Sequence, residues 1–372
     1  MGLACALGQG VDACTQALEA GVVRTVPLEL EGMHDPVSMR YYRIPDAPAP
    51  FAPERFHDLL LAATLEAIET AGLSRQEVEE LPLFLGSSCF SVAKSEAQYR
   101  AELRAGSPNA LALPFVGFQH TTDSVMELVG CRGESYTFNT ACTAAANALM
   151  IAARMLRIGR FPRALVIGVE LANRTTLAGF SGLQLIADAV RPFDRRRSGI
   201  VLGEGIGAVL LSAEDRRDGV ALAGGASNGD AYSVTAANPD GSSIAAVQVA
   251  ALRQAGIDGA AVRGIKAHGT ASPLNDTGEA AGILRLFDSP PPVCALKPYL
   301  GHTLGACGVT ELVLMAAALQ RGFFPGTPGC EEPDASLGVT PGREPREARP
   351  GHYLLNYFGF GGNNTSLLLH CA

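Results

Sequence analysis

The chain has 372 residues, 47% of them hydrophobic and 18% charged, with 42 glycines, no tryptophan and a formal net charge of −8. Such a composition is globular and long enough for a large core or two fused halves, and the negative balance argues against broad affinity for nucleic acid. No uninterrupted apolar stretch reaches the ~18 to 20 residues of a membrane span, since even Ala144 to Ile158 is broken by Asn147, Arg154 and Arg157. The first eight residues carry no positive charge and are too short for the apolar region of a signal peptide, so a cytoplasmic setting is expected. Nine scattered cysteines without a Cys-x-x-Cys pair suggest neither a disulfide framework nor a zinc site.

In chain order, residues 43 to 53 form a proline-rich connector that continues neither a helix nor a central strand. Phe56, Leu59, Leu60, Ala63, Ala67 and Ala71 then recur at helical spacing, with Gly72 where a C-terminal cap belongs. Leu83 to Gly86, Ala164 to Val169, Gly207 to Ser212 and Gly264 to Ala267 are short apolar runs of the kind that form buried strands. Helical runs between several of them predict an α/β class. Two helices stand apart: Thr143 to Ile158 and Gly308 to Gln320 are small or apolar on nearly every face, as in a helix buried mid-protein. Each follows a chemically interesting residue, Cys142 and His302. The pattern predicts two similar halves, about 1–215 and 216–372, with central helices whose N-termini point at one shared site. Near the C-terminus two apolar strands flank Gly359-Phe360-Gly361-Gly362, a hairpin turn able to aim N–H groups at a ligand.

Cys142 sits where the strand-like run Ser135 to Asn139 gives way to helix. Unpaired N–H groups and the helix dipole favour a thiolate there, although a cysteine among alanines is also ordinary core filler. His268 ends a strand and enters a glycine-containing turn, Lys266-Ala-His-Gly-Thr270-Ala-Ser272-Pro, with Asn275, Asp276 and Glu279 just after. The third cluster is Lys297-Pro-Tyr-Leu-Gly-His302, followed by Glu311. Taken singly, the histidine fits a hydrogen-bonded loop and the lysine a solvated surface.

Taken together, the Thr-Ala-Cys turn, His-Gly-Thr, Lys-x3-Gly-His and Gly-Phe-Gly-Gly-x-Asn, in this order, resemble the β-ketoacyl-ACP synthases of the thiolase superfamily with a Cys-His-His triad. The segment Asp188 to Gly207 adds to the likeness, which spans nearly the whole chain. The resemblance implies a thiolase-like α-β-α-β-α fold and decarboxylative condensation of an acyl thioester with malonyl-ACP. It assigns the nucleophile to Cys142, the enolate-stabilising donors to His268 and His302, the neighbouring cation to Lys297 and its carboxylate to Glu311. It implies an oxyanion hole from the N–H groups of Cys142 and Phe360, with Phe360 also gating. Thr270, with Ser272 in place of the family's usual companion, and Thr235 would contact the phosphopantetheine arm. Segments such as 88 to 120 would shape the acyl pocket. No cofactor is implied beyond the phosphopantetheine of an acyl carrier protein, and a homodimer is implied, with a heterodimer of related subunits as the alternative. A non-catalytic chain-length-factor subunit shares the fold, but generally lacks the cysteine. Thiolases and type III synthases use Cys-His-Cys or Cys-His-Asn sets instead.

Departures from the family pattern bear on the pathway. The chain opens at the family's Gly-Leu-Gly segment, so its first strand is expected to be almost absent. Asn363 stands where threonine is common, Pro298-Tyr299 where smaller residues are common, and the loop before Arg191 is short. The compact length, the short loop and Pro298-Tyr299 suggest a specialised polyketide-like or aryl-polyene branch rather than housekeeping fatty-acid elongation. Arg195-Arg196-Arg197 is the clearest basic run, able to dock an acidic carrier or to lie in a salt-bridged face. Gly203-Glu-Gly-Ile-Gly207 lacks nucleotide-loop spacing and reads as packing. Arg154, Arg157, Arg160 and Arg163 suit the negative end of a helix dipole.

Overall fold

The computed structural model describes residues 1–31, 37–52, 54–106, 117–214 and 219–372. In chain order, β1 (Gly2–Cys5), β2 (Gly8–Gln9) and α1 (Val11–Glu19) lead into a small two-stranded sheet of β3 (Val26–Leu30) and β4 (Val37–Tyr41). Next come α2 (Arg55–Ala71), α3 (Arg75–Glu79), β5 (Leu83–Gly86), α4 (Val92–Arg104), α5 (Phe118–Val129), β6 (Ser135–Phe138) and α6 (Ala144–Arg157). They are followed by β7 (Arg163–Glu170), α7 (Arg174–Gly182), β8 (Gly205–Ser212), β9 (Val220–Gly229), α8 (Ser242–Ala255), β10 (Val262–Ala267), α9 (Pro273–Leu286) and β11 (Val293–Ala295). The chain closes with α10 (Lys297–Leu300), α11 (Cys307–Gln320), β12 (Phe323–Phe324), β13 (Arg346–Glu347), β14 (Gly351–Gly359) and β15 (Asn363–Cys371).

Two main sheets repeat one topology. The first runs β6-β5-β7-β8-β1-β2 and the second β11-β10-β14-β15-β9. In each, one strand, β5 or β10, is parallel to both neighbours, and the next two pairings are antiparallel. Between the sheets lie α6 and α11, packed on each other and on strands of both. The all-round apolar character of α11 follows from this position, because the helix is buried on every face from Cys307 to Leu319. On the outside, α2 covers the first sheet, with Leu59, Leu60 and Ala63 against Leu83, Leu165 and Ile206. On the far side, α8 and α9 cover the second, where Leu252 and Ile283 meet Ile265 and Leu354. The result is the thiolase-like five-layered α-β-α-β-α arrangement.

Local expectations translate directly at several places. The α2 helix ends on Gly72 in the left-handed conformation, φ 65°, and residues 43–52 are irregular, Pro53 lying outside the described residues. The division expected at 215/216 also lies outside them. The first strand corrects its expectation: β1 is present, short but fully buried, and pairs along its whole length with β8 from Gly2 opposite Ala208 to Cys5 opposite Gly205. Four residues suffice because β2 covers its other edge.

Glycine is required where the central helices cross. A Cβ on Gly308 would lie 2.0 Å from the Ala146 nitrogen and 2.6 Å from the Ala145 carbonyl carbon, which are backbone atoms that cannot swing aside. Gly308→Ala is therefore expected to destabilise the fold by about 3 kcal/mol, the upper end for overpacking. Urea titration measures this, and Ala317→Gly on the same helix serves as a propensity control.

Candidate active site

Both central helices begin with a distorted turn. Ala141 to Thr143 form a 3₁₀ turn ahead of α6, and Leu304 to Ala306 form one ahead of α11. Each opens on a non-glycine residue at positive φ, Ala141 at 50° and Leu304 at 44°. Such backbone strain persists only where surrounding contacts impose it. The two turns lie against each other, so Cys142 faces the loop carrying His302. The Cys142 sulfur is 3.1 Å from His302 Nε2.

The expected thiolate requires correction. Burial pushes the Cys142 thiol up to about 12, against the pull of Lys297 and of the Phe360 and Cys142 backbone N–H groups turned toward the sulfur. The helix start does favour negative charge, but desolvation outweighs it. Burial first and Lys297 second hold His268 and His302 well below the ordinary imidazole range. The resting site thus holds a thiol beside two neutral imidazoles.

His268 follows β10, and its ring meets that of His302 edge to face at 5.2 Å between centroids. Lys297, at the start of α10, has its ammonium 3.2 Å from His268 Nδ1 and 2.8 Å from Glu311 Oε1. Because an ammonium only donates, Nδ1 accepts, and the neutral His268 ring carries its proton on Nε2. Burial works against the charges of Glu311 and Lys297, but their attraction prevails: Glu311 is held below the carboxylate range and Lys297 above its own. Glu279 on α9 accepts from the His268 and Gly269 N–H groups at 2.7 and 2.8 Å and fixes this loop. Burial raises Glu279 to about 7 and Asp276 to about 6.

The Phe360 turn is pinned from outside. Gly361 and Gly362 take φ of 76° and 75°, and their backbones bond Val234 and Asp230 of the loop after β9. Phe360 stacks on Phe180 of α7 at 5.6 Å. Asn363 donates to the Phe360 carbonyl at 2.9 Å. Thr270 is buried, its hydroxyl 3.1 Å from that of Ser272, whereas Thr235 is exposed on the loop beside the turn. Of the segment 88 to 120, Phe90, Ser91, Lys94 and His120 line a cavity with Phe51 and His57, and residues 107–116 lie outside the described residues. Arg195, Arg196 and Arg197 all pair with acidic groups, namely Glu332, the Asp194, Glu331 and Glu332 set, and Asp334. The basic run is a salt-bridged face.

Three residues without an assigned role emerge at the site. Lys266 bonds the second oxygen of Glu311 at 2.5 Å. Glu170, closing β7, accepts from Ser88 and from the Gly305 N–H at 3.0 Å, tying the turn after His302 to the loop after β5. Cys307 donates its thiol to the Cys142 carbonyl at 2.9 Å. The local signal that Lys266 and Glu170 share is a charge at the end of an apolar strand.

Residues 43–217 match the β-ketoacyl synthase N-terminal domain and residues 219–331 the β-ketoacyl synthase C-terminal domain. The 3-oxoacyl-[acyl-carrier-protein] synthase 2 of Vibrio cholerae is 30% identical over 83% of this chain and 80% of its own length. The tetracenomycin polyketide synthase ketoacyl synthase alpha subunit of Streptomyces glaucescens is 31% identical over 85% and 81%. A chain of the solved complex of a ketosynthase with its chain length factor from Xenorhabdus doucetiae superposes with a TM-score of 0.85 at 27% identity, covering 100% of this chain and 96% of that one. The chain belongs to the β-ketoacyl synthase family and is by class an acyltransferase. Among the described residues no helix is long and apolar enough to cross a membrane.

Proposed function

We propose that this chain is a condensing β-ketoacyl-ACP synthase in which Cys142 carries the acyl chain. The observation that supports it most is the 3.1 Å contact of Cys142 with His302, beside a His268 whose Nδ1 is occupied by Lys297. In the first step the Cys142 sulfur attacks the thioester carbonyl of an acyl carrier. Its proton passes through His302 to the departing pantetheine sulfur, and the oxyanion accepts the Cys142 and Phe360 N–H groups. In the second, a malonyl thioester loses carbon dioxide while its carbonyl oxygen accepts hydrogen bonds from His268 Nε2 and His302. The enolate carbon attacks the acyl carbonyl, the carbon–sulfur bond breaks, and Cys142 recovers a proton from solvent. His302 Nδ1 has no partner among the described residues, so nothing holds that ring in one tautomer. Its Nε2 accepts in the first step with the ring proton on Nδ1, and donates in the second after Nδ1 has lost that proton to solvent and Nε2 has gained one.

Thr270 and Ser272 are the hydroxyls offered to the phosphopantetheine arm, with Thr235 at its outer end. All charge in this scheme is met by protein groups, and the reading includes no cofactor beyond the carrier's phosphopantetheine. The partners are an acyl carrier protein and a second synthase-like chain, either identical or related. Support for the latter is the edge position of β6, whose residues are half-buried. The Xenorhabdus doucetiae complex favours a related partner subunit and a specialised, polyketide-like branch. Nine unbridged thiols suit a reducing, cytoplasmic setting. A non-catalytic role for this chain would leave the Cys142 and His302 contact without use. The test is intact-mass analysis after exposure to a panel of acyl-ACPs, with the chain alone and with co-expressed subunits. An acyl adduct mapped to Cys142 is expected, and no adduct from any donor would favour the partner-subunit role.

A further inference from the structure

Lys266 is buried completely, yet it ends in an ammonium. Its Nζ lies 2.5 Å from Glu311 Oε2, 2.6 Å from the Asn356 carbonyl oxygen and 3.7 Å from the centre of the Tyr357 ring. Burial lowers its affinity for a proton and Glu311 works to restore it. Carboxylate, carbonyl and ring face together take three hydrogens, which the ammonium has and a neutral amine lacks. The other oxygen of Glu311 is taken by Lys297, which also meets His268. Two buried cations therefore share one carboxylate. A buried charge without a full counter-charge is costly.

We propose that Lys266 is a positioning residue for the condensation: by holding one oxygen of Glu311 it limits Lys297 to the other and leaves an ammonium hydrogen for His268, and its charge makes the cluster net positive. This rests on the proposed reaction. With Lys297 alone, Glu311 would form a neutral pair and could accept from that ammonium with both oxygens. With Lys266 present, one positive charge remains for the surroundings, which adds to burial and Lys297 in disfavouring protonation of both imidazoles.

The charged and titratable groups around the histidines come from several elements. Lys266 lies on β10, Glu279 and Asp276 on α9, Lys297 on α10, Glu311 and Cys307 on α11, and Glu170 on β7, with Cys142 in the turn before α6. Lys266 disfavours protonation of both His268 and His302. Glu279 is engaged by the His268 and Gly269 N–H groups, and Glu170 by Ser88 and Gly305, so neither forms an ion pair with the imidazoles.

The experiment compares Lys266→Gln and Lys266→Met with wild type. The glutamine retains a donor toward Asn356 and Glu311, and the methionine retains only volume. Removing a nearby cation lets a histidine protonate at higher pH. The acid limb of malonyl-ACP decarboxylation should therefore move up by about one pH unit in both variants, with folding followed by circular dichroism. Independently of turnover, ring ¹⁵N shifts of His268 and His302 should titrate about one unit higher in Lys266→Gln. Unchanged histidine titration in a folded Lys266→Gln variant would overturn the proposal. Wild type that never decarboxylates malonyl-ACP, while its histidines still respond to Lys266→Gln, would instead overturn the proposed reaction and leave the electrostatic role standing.

Discussion

Cys142→Ala should abolish acyl transfer while sparing decarboxylation of the malonyl thioester. The first half of the reaction needs a sulfur within reach of His302 and of the N–H groups of Cys142 and Phe360. No other thiol replaces it: Cys307 is nearby, but its thiol donates to the Cys142 carbonyl, and burial and Glu311 push it well above the ordinary thiol range. Loss of a covalent nucleophile costs on the order of 10⁴-fold or more. The second half draws on His268, His302 and Lys297, whose contacts with one another and with Glu311 do not involve the sulfur. Single-turnover acylation and release of carbon dioxide, measured side by side, separate the two. Equal loss of both would mean that the sulfur is needed to organise the histidines.

Glu311→Gln carries the largest expected cost to the fold. It removes the carboxylate that Lys266 and Lys297 share at 2.5 and 2.8 Å, all three side chains being at most 1% exposed. Breaking a buried pair by removing one partner costs roughly 3–5 kcal/mol, and here two cations lose the same counter-charge. The pH dependence has a definite sign. Without Glu311, burial and mutual repulsion lower the lysine pKa values in the folded state, whereas the unfolded chain keeps them near the ordinary lysine value. The unfolded state then binds more protons, so the variant gains stability as pH rises toward that value. Urea midpoints at pH 7 and pH 9 should show a deficit that shrinks at the higher pH. A constant deficit would mean that the lost hydrogen bonds, not charge, set the cost.

Much of this architecture is legible in the sequence because it depends on local pattern. Leu59, Leu60 and Ala63 mark the face of α2, and small residues on all sides of Gly308 to Gln320 mark a helix with protein on every side. The residues that come together at the candidate site are also legible, since Cys142, His268, Lys297 and His302 sit in short motifs at element ends. What escaped was set by contacts across long stretches of chain. Lys266 meets Glu311 45 residues away and Asn356 90 away, and Glu170 meets Gly305 135 away. Nothing local distinguishes them from charges that merely end a strand. The state of Cys142 is hidden for a related reason: a helix start is visible locally, whereas the burial that pushes the thiol to about 12 comes from the second half of the molecule folding over it. The basic run at Arg195 to Arg197 likewise finds Glu331, Glu332 and Asp334 only once residues 331–334 fold back on it.

The most direct measurement is the mass of the carrier-bound product when wild-type protein, alone and with co-expressed synthase-like subunits, receives an acyl-ACP and malonyl-ACP labelled with ¹³C at the methylene carbon. Condensation predicts a 3-oxoacyl chain that is longer by two carbons and retains the label, with one carbon dioxide released for each bond made. Carbon dioxide release that leaves only acetyl-ACP, with the acyl chain unextended, would contradict it.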